Sequence, residues 1–144
     1  MGVLDFGAVA RLAEGALPLA MGSLIRIAAI EDDEQLLAGL RDEGFIKDRV
    51  TIDPALLLDY LSPFVEPTQV ERFTFSRKWM QSQFQRVNNP RDPAYTLALK
   101  INLPPSYLLI HRTWLGAIGI LSQLEAEVPF RAILTESLPG FAGD

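Results

Sequence analysis

No cysteine occurs anywhere in the 144 residues, which removes disulfides and thiolate metal sites together. Histidine is nearly as scarce. His111 stands alone, so a zinc cage of Cys and His ligands has nothing to be built from. A reducing compartment suits such a chain. Positive charge is also short: 13 Lys and Arg face 18 Asp and Glu, a formal charge of -5 with a pI near 4.9. Nucleic-acid backbones are held by strong basic fields, so no nucleic-acid partner is expected. Long unbroken apolar runs are missing too. The longest, Tyr107 to Leu124, carries His111 and Arg112 in its first third, which fits a buried helix better than a membrane crossing. No basic leader opens the sequence, Asp5 and Glu14 interrupt its first apolar stretch, and Phe6 stands where a myristoylation motif wants Ser or Thr. A cytoplasmic location is expected.

What is present suits one compact domain over residues 1–144. A 49% hydrophobic content with 22% charged residues can bury a core at this length. Leu17, Met21, Leu24, Ile25 and Ala28 recur at three- and four-residue spacing and predict a first helix from Leu17 to Ala29. Glu31-Asp32-Asp33-Glu34 reads as the capped, acidic start of a second, carrying Leu36, Leu37 and Leu40 and stopping at Gly44. Asp53-Pro54 and Asp92-Pro93 each place a capping Asp before a Pro at the first helical position. The first of these helices is expected to reach the Pro63 region. Ser76 caps another, with Trp79, Met80, Phe84 and Val87 on its apolar side, closed by Asn88-Asn89-Pro90.

Leu103-Pro104-Pro105 introduces the longest periodic segment, Ser106 to about Glu127, expected to be the central buried helix. Gly116 and Gly119 inside it each cost about 1 kcal/mol relative to Ala, which predicts another backbone packed closely against them. Pro129 ends it, and Phe130 to Leu138 forms a last short helix. No strand pattern recurs after residue 10. The expected fold is mainly α, with one short strand at the N-terminus.

That strand, Val3-Leu4, leads into Asp5-Phe6-Gly7. In kinases such a tripeptide follows a strand and holds magnesium, a hard cation that bridges phosphate oxygens and takes oxygen ligands. The plain alternative is a strand-end Asp followed by a turn glycine, and on local context the two readings weigh equally.

The stretches Asp5-Phe6-Gly7-Ala8-Val9, Glu43-Gly44-Phe45-Ile46, Asn102 through Gly116 and Leu124 through Arg131, taken in order, resemble the C-terminal part of the UbiB/AarF family. These are atypical protein-kinase-like ATPases, also called the ABC-one family. The resemblance covers essentially the whole chain. It implies a helical C-lobe, Mg and ATP as cofactors, and the link to isoprenoid-quinone metabolism at membranes found in many members. Residue by residue it assigns the metal ligand to Asp5, with Phe6 and Gly7 completing the nucleotide-site motif, and it assigns no catalytic residue. The family's Lys-x-Gly-Gln motif, alanine-rich loop, phosphate-binding lysine and catalytic loop all precede the DFG, and Lys47, Lys78 and Lys100 all follow it. The chain thus reads as a truncated C-lobe, inactive alone.

His111 and Arg112 could serve as acid, base or anion clamp, but no nucleophile accompanies them, and a helix histidine near the core with a structural Arg112 is the stronger reading. Arg72, Arg77, Lys78, Arg86 and Arg91 interleave with Phe73, Phe75, Trp79 and Phe84. That mixture suits either peripheral contact with an anionic membrane or an amphipathic helix with its charges in water. Two function classes follow: a kinase C-lobe that needs a complementing N-lobe, and a non-catalytic helical module for protein or lipid surfaces. Either would expose apolar surface and favour self-association. A truncated product with no function of its own is the third alternative.

Overall fold

The computed structural model describes residues 19–143. Within them the chain is mainly helical: α1 (Leu19–Ala29), α2 (Asp33–Asp42), α3 (Pro54–Tyr60), α4 (Ser62–Val65), α5 (Arg77–Asn88), α6 (Pro93–Ala98), α7 (Leu108–Gln123) and α8 (Phe130–Ser137). Short 3-10 turns occupy Glu66–Thr68 and Pro105–Tyr107. The expected N-terminal strand and Asp5-Phe6-Gly7 lie outside the described residues, as do the first two positions of the helix expected from Leu17.

Helix starts follow local capping chemistry. The side chains of Asp32, Asp53, Ser76 and Asp92 accept from the amides of Gln35, Ala55, Trp79 and Ala94 at 3.0, 3.0, 3.1 and 2.9 Å. Each satisfies one amide that the first helical turn cannot. Asp33 and Glu34 fill the first turn of α2, so the acidic run is a helix start. No group of three or more metal-ligating side chains occurs among the described residues.

Four expectations need correction. The helix from Asp53 breaks at Leu61 into α3 and α4, because Pro63 has no amide to donate back to α3 and opens a new turn instead. A strand pair does occur after residue 10: β1 (Phe73–Thr74) runs antiparallel to β2 (Glu127–Val128), with Phe73 opposite Val128 and Thr74 opposite Glu127. The segment from Ser106 is not the central buried helix. It begins as a 3-10 turn, ends at Gln123, and buries only Ile118 and Ser122, leaving Leu108, Leu115 and Ile120 exposed. Its Gly116 and Gly119 have no atom within 4 Å of where a Cβ would stand, so the close backbone approach is elsewhere. It lies at Gly22 of α1, against the backbone of Pro139 and Phe141.

The core is therefore centred on the first half of the chain. Ala28, Leu36, Leu40, Ile46, Ile52, Leu57, Val65 and Leu97 form one buried cluster joining α1, α2, α3 and α6. Ile25, Leu134, Leu138 and Phe141 form a second, where α8 and its tail close on α1. Among the described residues no helix is long and apolar enough to cross a membrane.

Candidate functional site

Between these clusters the inner faces of α1 and α2 do not meet the start of α7, and an apolar pocket of about 300 Å³ remains. Its walls come from Leu24 of α1, Leu36 of α2, Phe64 of α4 and Ile110 of α7, with Phe45 and Leu103 from the connecting loops. The aromatic walls are held by neighbouring rings. Phe45 stands 4.8 Å from Tyr107, Phe64 stands 5.7 Å from Trp114, and Trp114 in turn lies 5.8 Å from Phe130. Offset and tilted ring pairs at these separations fix orientation as well as area.

Polar groups at the pocket are few: Asn102, Tyr60, Tyr107, His111 and the indole N–H of Trp114, which is buried without a partner among the described residues. Asn102 is anchored through its backbone, its amide donating to the Phe45 carbonyl at 2.7 Å. The Tyr107 hydroxyl donates to Glu43 Oε2 at 2.7 Å, across 64 residues of sequence. Burial, then this hydrogen bond and the carboxylate's charge, push the Tyr107 hydroxyl pKa well above the ordinary tyrosine value. Burial alone pushes Tyr60 in the same direction. The folded chain therefore keeps protons that the unfolded chain releases above about pH 10. Their stabilising contribution is complete below that pH and is lost as pH rises through the folded pKa values. Thermal melts should show the wild type falling more steeply than Tyr107→Phe above about pH 10, so the gap between them narrows. A gap constant across the alkaline range would refute the Tyr107–Glu43 coupling.

His111 lines this pocket, half-buried, and its ring makes no hydrogen bond to another described residue. Arg112, on the next position of α7, is exposed and makes no ion pair among the described residues. Three of the five basic side chains of the basic and aromatic stretch bond to other parts of the chain, while Arg72 and Arg77 stay exposed. Arg72 pairs with Glu127 at 2.7 Å, Arg77 donates to the Gln123 carbonyl, and Arg86 grips Asp59 at 2.6 Å and Ser62 at 2.7 Å. Phe75 is fully buried and Phe73 and Trp79 are half-buried, whereas Phe84, expected on the apolar side, is 68% exposed. Lys78 and Arg91 remain in solvent, as do Lys47 and Lys100.

The pocket was missed in the sequence because its walls come from helices and loops scattered along the chain, each reading as ordinary core. Asp5, Phe6 and Gly7, the sequence-derived site, lie outside the described residues, and the structure brings none of the described charged groups together as a substitute.

No family model matches this chain, and no curated protein does. Among solved structures it is similar to the complex of Rv3197 with erythromycin from Mycobacterium tuberculosis, at 31% sequence identity and a TM-score of 0.81. The match covers 99% of this chain and 35% of that one. The chain thus reproduces, almost end to end, about a third of the length of a longer protein.

Proposed function

We propose that this chain is the C-terminal portion of a kinase-like ATPase of the UbiB/AarF type, contributing Asp5 as one magnesium ligand of a shared Mg-ATP site. The observation that carries the reading is the ordered set of family-like stretches from Asp5-Phe6-Gly7 to Arg131. Support comes from the mainly helical fold and from a likeness that spans this whole chain yet only a third of a longer one. Bound Mg-ATP would supply a transferable phosphoryl group. This chain's own part is to contribute one carboxylate, Asp5. The described residues offer no group of three metal ligands, and a lone carboxylate holds magnesium poorly without phosphate oxygens and further ligands. Phosphoryl transfer depends on many positioned parts acting together, so one part gives negligible rate.

A second reading, a non-catalytic binding module, is favoured by the erythromycin complex of the similar structure. That ligand is a bulky macrolide without phosphate, unlike a nucleotide. One set of thermal-shift titrations separates the two. With Mg-ATP the isolated chain should show no shift; supplied with a lobe carrying the catalytic loop, it should be stabilised, and Asp5→Asn should remove the effect. A clear Mg-ATP shift of the chain alone that vanishes in Asp5→Ala would overturn the shared-site proposal. Stabilisation by erythromycin, untouched by Asp5→Asn, would favour the binding module.

A further inference from the structure

We infer that the pocket between α1, α2, α4 and α7 is a binding site for a neutral, largely apolar small molecule whose carbonyl or hydroxyl group hydrogen-bonds to His111. The inference goes beyond nucleotide binding and rests on the binding-module reading only in requiring that the chain take up an organic ligand.

Three observations define the ligand class. First, protein interiors are packed to near crystal density and rarely keep voids larger than a water molecule. An opening of about 300 Å³ beside two well-formed clusters is at the lower end of small-molecule pockets. Second, the pocket lining contains no Lys, Arg, Asp or Glu. A phosphate or carboxylate placed there would lose its hydration with only the single His111 imidazole as a possible counter-charge, which disfavours nucleotides and fatty-acid anions against neutral ligands. Third, hydrogen-bonding capacity remains at one side. The half-buried His111 ring has no partner among the described residues, nor has the buried indole N–H of Trp114 three residues on, while the hydroxyl of Tyr107 is committed to Glu43. A ligand oxygen at His111 would pair a group that otherwise depends on water, and the ring pairs at Phe45, Phe64 and Trp114 hold the apolar walls before the ligand arrives.

The test uses two probes of equal shape, acetylnaphthalene and isopropylnaphthalene, which differ in the presence of a carbonyl acceptor. The chain holds two tryptophans, and they serve as reporter and control in nitrogen-15 indole spectra. Trp114 lines the pocket, whereas the Trp79 indole donates to Glu66 and is not part of it. Both probes should move the Trp114 indole signal and leave that of Trp79 in place. The ketone should bind about tenfold more tightly, the scale of one net hydrogen bond. His111→Leu should make the two affinities equal while retaining the isopropyl compound, and Ile110→Trp, which fills the pocket, should weaken both at least about tenfold. Equal affinities in the wild type, or binding that leaves Trp114 unmoved, would overturn the proposal. So would absence of binding by either probe, and the macrolide titration would then still decide the binding-module reading independently.

Discussion

Phe75→Ala is expected to lower the unfolding free energy by about 3–5 kcal/mol, the range for removing a fully buried phenyl ring. Phe75 has no exposed surface. It follows β1 directly, and its amide donates to the Ala126 carbonyl at 2.9 Å, extending the strand pairing by one bond. Its ring meets Phe73, Trp79 and Phe130 edge-on, with centroids 4.9, 5.6 and 5.4 Å away. The side chain therefore joins the strand pair, α5 and α8 at one point. Alanine would keep the backbone bond and leave a cavity that three rings on three different elements cannot easily fill. Urea denaturation measures the effect as a lower midpoint with an unchanged slope. Phe75→Leu, which keeps most of the volume, should cost clearly less. A loss below about 1 kcal/mol for the alanine variant would mean that the neighbouring rings collapse into the space, and that the aromatic cluster does not hold these elements together.

The elements legible in the sequence are those fixed by neighbours in the chain. Asp32, Asp53, Ser76 and Asp92 sit two or three residues from the amides they cap, so capping chemistry alone located four helix starts. The strand pair was not legible. Two residues per strand cannot display an alternating pattern, and their partner lies more than 50 residues away. The longest helix failed for another reason: α7 is apolar nearly all round, and periodicity does not say which face the rest of the fold will meet. Its exposed Leu108, Leu115 and Ile120 read no differently in sequence from the buried Ile118. The candidate site was less legible still. The pocket depends on contacts such as Tyr107 with Glu43, 64 residues apart, and on what α7 leaves open. His111 was visible as the lone histidine, but its apolar surroundings come from other elements.

One substitution made at three places should have opposite effects. Gly22→Ala is expected to destabilise by about 2 kcal/mol or more, whereas Gly116→Ala and Gly119→Ala should each stabilise by up to about 1 kcal/mol. All three glycines lie inside α-helices, where alanine is intrinsically the better residue by about 1 kcal/mol. Surroundings decide the sign. A Cβ on Gly22 would run into the carbonyl oxygen of Pro139 and stand 2.7 Å from the Phe141 amide nitrogen. These are backbone atoms and cannot swing aside as a side chain would. Gly140 approaches from the other side, at φ +80°, where a Cβ would lie 2.5 Å from the Leu19 carbonyl oxygen. The tail would have to lift from α1, and with it the contacts of Leu138 and Phe141 to Ile25. That overpacking exceeds the gain in helix propensity. At Gly116 and Gly119 no atom lies within 4 Å of the new Cβ, so the propensity gain stands alone. Urea denaturation of the three variants checks the claim directly. A shared sign would place the close approach somewhere other than between α1 and the chain after α8.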